Sequence, residues 1–204
     1  MGKLFVISAP SGTGKTSLIK SLLEDPMSSN TKLGISCTTR EKRPKEKDGI
    51  SYFFISKDEF KEKVNNKNFL EYAEVFGNYY GTPKDWVLSI IAKDENVILE
   101  LDTQGALQVK KTFPNTQTIF IIPPSYEDLT KRLELRAQDS NEEIQRRLKE
   151  ARKEITIGKD FDQIIVNNNF DDALDDLKKF MFSDEVLSKK RSEANKNSLN
   201  LLLD

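Results

Sequence analysis

Four short apolar runs recur along the chain, at Leu4–Ile7, Val97–Leu101, Thr118–Ile122 and Ile164–Val166. Each has the length of a strand, and each is apolar over most of that length rather than alternating. Such runs mark strands covered on both faces. The stretches between them repeat at helical spacing instead. Leu18, Ile19, Leu22 and Leu23 form one apolar stripe, Ile144, Leu148, Ala151 and Ile155 a second, and Leu174, Leu177 and Met181 a third. Strands of this kind alternating with amphipathic helices predict an α/β chain with a parallel sheet flanked by helices.

Two segments break the rhythm. Residues 35–82 carry short aromatic and β-branched runs (Tyr52–Ile55 and Tyr72–Phe76) divided by polar turns at Lys47-Asp48-Gly49 and Phe76-Gly77-Asn78. This predicts a small mixed β-rich insertion. Residues 125–157 are strongly charged and begin after Pro123-Pro124, a natural hinge, which predicts a helical lid. The core is then residues 1–34, 83–124 and 158–187, and residues 188–204 form a tail. That tail is polar up to Ser198 and ends Leu199-Asn200-Leu201-Leu202-Leu203-Asp204. By pattern it either frays or docks on a neighbour.

Composition narrows the chemistry. With 204 residues the chain is long enough for one body with inserted subdomains. A net charge of −1 argues against wholesale nucleic-acid or membrane binding. No leader-like segment precedes the first strand, and no apolar run approaches the ~18 residues of a membrane span. Cys37 stands alone and cannot form an internal disulfide, so it reads as a small buried residue in a cytoplasmic protein. There is no histidine, which removes imidazole bases, nucleophile activation by imidazole and imidazole metal ligands together. Phosphoryl transfer tolerates that loss, because positioning and charge neutralisation carry most of its catalysis.

The segment LFVISAPSGTGKTSLIKSL, residues 4–22, has the layout of a phosphate-cradling P-loop. An apolar strand feeds a glycine-bearing turn, and Lys15-Thr16 opens a helix-patterned stretch. The glycines let successive backbone N–H groups turn toward phosphate oxygens, and the helix N-terminus adds partial positive charge. Lys15 would reach the β- and γ-phosphates, and the Thr16 hydroxyl would face Mg²⁺. Ala9 holds the place where the pattern opens with Gly, one methyl larger, which predicts a slightly altered loop. The reading is a P-loop NTPase-type sheet that binds a nucleoside triphosphate.

An acceptor must be sought elsewhere. Residues 36–43 read Ser-Cys-Thr-Thr-Arg-Glu-Lys-Arg, and the Arg40 and Arg43 guanidinium groups suit bidentate phosphate binding. Tyr52 and the run Gly77-Asn78-Tyr79-Tyr80-Gly81-Thr82 add aromatic and aliphatic hydroxyls to the same insertion. By composition alone Glu71 reads as a surface charge.

Ser8–Thr16, Thr38-Thr39-Arg40, Gly77–Thr82 and Val166-Asn167, in this order and spacing, resemble the guanylate kinases of bacteria over roughly residues 3–185. The resemblance implies transfer of the γ-phosphate of ATP to GMP, and to dGMP, with Mg²⁺ accompanying ATP. It implies that Ser11, Gly12, Thr13, Gly14, Lys15, Thr16 and Ser17 hold the ATP phosphates, with Asn167 near the adenine. Ser36, Arg40, Arg43, Tyr52, Glu71, Tyr80, Thr82 and Asp102 fall on GMP-binding positions. The arginines and tyrosines would take the 5′-phosphate, while Ser36, Glu71 and Asp102 would read the guanine. That last assignment makes chemical sense. Guanine offers a ring N1–H and an exocyclic amine side by side, and an ionised carboxylate accepts from both, whereas adenine would leave it unpaired. Arg132, Arg136 and Arg147 match the lid arginines and join Lys15 and Arg40 as catalytic candidates. Mg²⁺ would be held by Thr16, with Glu100 acting through water.

Some positions depart from the family pattern. Glu100 stands in Glu100-Leu101-Asp102-Thr103-Gln104-Gly105 where Asp is common. Thr82 replaces a frequent Ser, Asn168 an Asp, and Ala137 a Gly. Two other readings stay open from sequence: a kinase of another small phosphate acceptor on this scaffold, and a non-catalytic guanylate-kinase-like module that binds protein ligands. Formation of a homo-oligomer is also left open.

Overall fold

The computed structural model describes residues 2–44, 46–75, 77–135, 141–183 and 189–203. By backbone contacts the chain forms two compact units, one of residues 1–6 and 30–117 and one of residues 7–29 and 118–204. Strand β1 (Leu4–Ser8) is shared between them and is buried along its whole length.

In the first unit, β2 (Thr31–Leu33) pairs in parallel with β7 (Asn96–Glu100), Thr31 opposite Asn96, and β7 neighbours β1. Helix α3 (Lys84–Ile91) packs against β7 through a face that buries Val87 and Ile91. A second, mixed sheet follows the order β4-β3-β6-β5, built from β3 (Cys37–Thr38), β4 (Phe53–Phe54), β5 (Phe69–Val75) and β6 (Asn78–Pro83). Strand β3 runs parallel to β4 and antiparallel to β6, with Thr38 opposite Tyr80. Helix α2 (Lys57–Asn65) starts at a serine N-cap: the Ser56 hydroxyl accepts from the Glu59 N–H at 3.1 Å, and Asp58 and Glu59 complement the helix dipole. The helix delivers Phe60 to a cluster with Cys37 and Phe69, where Phe60 stacks on Phe69 at 4.6 Å and on Tyr79 at 5.3 Å. Burial pushes the Cys37 thiol up to about 11, so it is an inert packing residue, as expected from sequence.

Helix α4 (Thr103–Thr112) covers β5. Its Gln108 side chain accepts from the Tyr72 N–H, and its Thr112 hydroxyl donates to the Leu70 carbonyl. The backbone groups that an edge strand leaves unpaired thus find side-chain partners.

In the second unit, β1 neighbours β8 (Gln117–Ile122), and β8 pairs in parallel with β9 (Gln163–Val166), Ile122 opposite Val166. Helix α1 (Lys15–Glu24) follows β1 and buries Leu18, Ile19 and Leu22. Helices α5 (Tyr126–Leu135) and α6 (Asn141–Gly158) pack through Leu129 and Leu133 on α5 and through Ile144, Leu148 and Ala151 of the second predicted stripe on α6. Helix α7 (Phe170–Phe182) is capped by Asn169, whose side-chain oxygen accepts from the Asp171 and Asp172 N–H groups.

The predicted parallel strands are present with shifts of one residue at their ends. The tail resolves into helix α8 (Lys189–Leu203), which packs on β9 and α6. Leu199 and Leu202 are buried there, and the Asn195 amide donates to the Ile164 carbonyl at 3.0 Å. Sequence reading named no run over β2, β3 or β6; β2 and β3 are only three and two residues long, and β6 carries Asn, Gly and Pro.

Candidate active site

The residues expected to hold the triphosphate lie in the second unit. The chain leaves β1 and turns at Gly12 (φ +93°) and Gly14 (φ +90°), a backbone region that L side chains rarely adopt. Gly12 lies so close to α5 that an added Cβ would meet Leu133 Cδ2 at 2.9 Å and Leu129 Cδ1 at 3.1 Å. Thr13, fully buried, closes the turn by donating its hydroxyl to the Pro10 carbonyl at 2.8 Å. Gly14 is the N-cap of α1 and brings no side-chain cap, and no acidic residue occupies the first turn. A helix start of this kind is an anion site by its dipole. Lys15 and Thr16 are its first helical residues, Lys15 half-buried and Thr16 exposed, with exposed Ser17 behind them.

One arginine from the predicted lid meets this loop, and a second meets Asn167 beside it. Arg147 on α6 donates from Nη1 to Ser11 Oγ at 3.3 Å and from Nε to Glu143 Oε1 at 3.2 Å. Glu143 also accepts from Arg146, and the two guanidinium groups, Arg146 first, hold its carboxyl down at about 2. Arg132 on α5 donates from Nη2 to the Asn167 carbonyl at 2.8 Å. Asn167 follows β9, is buried, and donates from Nδ2 to the Thr13 carbonyl at 2.6 Å. Arg136 and Ala137 lie outside the described residues. Asn168 is exposed beside Asn167.

The residues expected to hold the acceptor lie in the first unit. Here Arg40 sits over the Tyr52 ring at 5.6 Å and the Phe54 ring at 6.0 Å, and Tyr52 meets Tyr80 edge to face at 6.0 Å. Arg40, Tyr52 and Tyr80 are therefore one cluster. Sequence reading missed the residue that ties it together, Glu46. Its Oε1 accepts from Arg40 Nη2 at 2.7 Å, and its Oε2 accepts from the Arg43 backbone N–H at 2.9 Å. These contacts, the Arg40 hydrogen bond first, lower the Glu46 carboxyl below the usual range. An acidic residue three and six positions after the two arginines was the available signal. The Lys47-Asp48-Gly49 turn is present, with Gly49 at φ +72° donating to the Tyr52 carbonyl at 2.8 Å.

Glu71 overturns its compositional reading as a surface charge: it is only 6% exposed. Thr82 on β6 donates its hydroxyl to Glu71 Oε1 at 2.6 Å. Burial pushes the Glu71 carboxyl up to about 7. The Thr82 hydroxyl opposes that rise, and the nearby Asp102 charge adds to it. Asp102 caps α4, its Oδ1 accepting from the Gly105 N–H at 2.7 Å. A Cβ built on Gly105 would lie 3.3 Å from Asp102 Oδ1 and 3.4 Å from Glu71 Oε2, so the two carboxylates converge beside this glycine. Ser36, half-buried, precedes β3, and Glu100 is the half-buried end of β7.

Among the described residues no group of three or more histidine, cysteine, aspartate or glutamate side chains could hold a metal ion. No described helix is long and apolar enough to cross a membrane.

The guanylate kinase family model matches residues 1–184. A guanylate kinase of Hahella chejuensis is 54% identical over 178 residues, covering 87% of this chain and 84% of that protein. One from Hydrogenovibrio crunogenus is 46% identical over 201 residues, covering 98% and 97%. The crystal structure of guanylate kinase from Anaplasma phagocytophilum superposes with a TM-score of 0.70 at 30% identity, covering 98% of this chain and 94% of that one. With a P-loop on one unit and a carboxylate-and-arginine site on the other, and with likeness that runs from end to end, the chain belongs to the guanylate kinase family.

Proposed function

We infer that this chain transfers the γ-phosphate of ATP to GMP, giving ADP and GDP. The observation that carries the choice of acceptor is the buried Glu71 carboxylate, held by Thr82 and adjacent to Asp102. Its oxygens suit the paired N–H donors of guanine, and AMP would leave this buried acceptor unsatisfied. Arg40, Arg43, Tyr52 and Tyr80 bind the 5′-phosphate, and Ser36 joins the base contacts. dGMP is a second acceptor in this reading, since no named residue is assigned to the ribose 2′-hydroxyl.

The P-loop, Ser11 to Ser17, wraps the ATP phosphates, with Lys15 on the β- and γ-phosphates and Asn167 beside the loop on the ATP side. Mg²⁺ fits this donor set as a nucleotide-borne ion. The Thr16 hydroxyl would supply one ligand and Glu100 would act through water, and among the described residues there is no carboxylate cage. The chemistry the ion would supply is neutralisation of phosphate charge. The segments 35–82 and 125–157 close over their nucleotides, which excludes water and brings acceptor and donor in line. The GMP phosphate attacks as an oxyanion, so no general base is needed. Lys15, Arg40, Arg132, Arg136 and Arg147 neutralise the charge on the transferring group. The setting is the cytoplasm, with no nucleic-acid or membrane partner.

ADP formation with GMP, dGMP, AMP and UMP as acceptors tests this. GMP and dGMP should be the fast pair. ADP formation with none of them would favour the protein-binding module, and a preference for UMP or AMP would favour another kinase on the scaffold.

A further inference from the structure

Asn167 makes two contacts that an adenine-binding role does not require. Its Nδ2 donates to the Thr13 carbonyl at 2.6 Å, across 154 residues of chain, and its own carbonyl accepts from Arg132 Nη2 at 2.8 Å. Its backbone is anchored in turn, because the Asn167 N–H donates to the Ile122 carbonyl at 2.9 Å at the end of β8. The residue is 5% exposed and Thr13 is fully buried, so the Thr13 carbonyl has little access to water and depends on this amide. The same amide sits where a Cβ on Gly14 would be, at 2.7 Å. The loop's second left-handed glycine and Asn167 are thus matched in shape.

We propose that Asn167 is the positioning residue of the phosphate loop: its side chain holds Thr13 and Gly14 in the cradle conformation, and its main-chain carbonyl anchors the Arg132 guanidinium. The proposal rests on reading Ser11 to Ser17 as the ATP-phosphate cradle. Truncating the amide leaves the Thr13 carbonyl unpaired and releases the turn that aims the first N–H groups of α1. The Arg132 contact survives truncation, because it uses a backbone atom. The side-chain role can therefore be read separately from that of Arg132.

The test separates the phosphate half of ATP from its base. Inorganic tripolyphosphate and AMP are used as competitive inhibitors against ATP at saturating GMP, with the full chain and with N167A and N167S. The expected result is that the Ki of tripolyphosphate rises about tenfold, the equivalent of one buried neutral hydrogen bond lost. The Ki of AMP stays within twofold, kcat falls, and the KM for GMP is unchanged. A rise confined to AMP would assign the amide to adenine and overturn the proposal. Equal rises for both inhibitors would mean general loosening of the site, and no rise for either would mean an idle contact; each overturns it too. Asn167→Asp sharpens the comparison by setting an acceptor against the Thr13 carbonyl, and it should weaken tripolyphosphate more than N167A does. Lys15→Ala tests the underlying reading. If it leaves the Ki of tripolyphosphate unchanged, the cradle assignment fails, whatever the Asn167 variants do.

Discussion

Thr82 gives its hydroxyl hydrogen to Glu71 at 2.6 Å, inside a unit where Glu71 is almost wholly removed from water. The pairing matters because a hydroxyl donor favours the charged carboxylate while burial and Asp102 disfavour it. The balance leaves Glu71 titrating near neutrality. The carboxylate that we assign to the guanine is then in equilibrium with its protonated form near neutral pH.

The first consequence is a pH dependence specific to one substrate. Only the ionised carboxylate accepts from both guanine donors, so kcat/KM for GMP should fall about tenfold per pH unit below pH 7. The KM for ATP should stay flat over the same range. Thr82→Val removes the larger of the two Thr82 contacts that favour ionisation, keeps the backbone one, and should move the break upward. A break that stays put in T82V would refute the pairing as its cause.

Stability should move against function at the same residue. The carboxyl titrates near 4.5 when unfolded and about 7 when folded, so between these values the folded chain keeps a proton that the unfolded chain has lost. Stability of the nucleotide-free protein therefore declines as pH rises through that window, by about 3 kcal/mol in total. Glu71→Gln carries no charge and escapes the loss. It should melt higher than the parent at pH 8 while raising the KM for GMP far more than that for ATP. Thermal melts at pH 5 and pH 8 decide this, and a Gln variant that melts no higher at pH 8 contradicts it.

Lys15→Ala should lower turnover on the order of 10³-fold, the effect of losing a strong preorganised electrostatic donor. Steady-state rates at saturating ATP and GMP measure it. A near-normal rate would remove Lys15 from the catalytic set.

Gly14→Ala meets two obstacles, a φ of +90° and a Cβ placed 2.7 Å from Asn167 Nδ2. The expected cost is about 1–3 kcal/mol of stability, with a raised KM for ATP and an unchanged KM for GMP. Gly77→Ala is the control. It shares a positive φ, but a Cβ there meets nothing within 4 Å. Denaturation midpoints of the two variants should differ, and equal midpoints would mean that backbone strain alone sets the cost.

Sequence alone determined the parts of this protein that depend on local order. Leu4–Ile7 reads as a buried strand because its neighbours in the chain are apolar. The glycines, Lys15 and Thr16 read as a phosphate loop because that geometry is made by consecutive residues. The stripe Ile144, Leu148 and Ala151 was legible for the same reason, as was the catalogue of arginines and tyrosines near residue 40. Strand β6 was not, because its Gly and Pro weaken strand signals that its partners β3 and β5 override.

Only the tertiary structure decided which polar residues are buried and which of them meet. Glu71 is a charge among charges in the chain, and it becomes a near-neutral acceptor only when β5, β6 and α4 close around it. Glu46 acquires meaning from the fold of residues 40–46, and Asn167 from the approach of β9 to a loop 154 residues earlier. The tail becomes α8 because β9 and α6 offer its leucines a surface. Desolvation and hydrogen-bond partnership are properties of packed neighbours distant in sequence, and no local pattern encodes them.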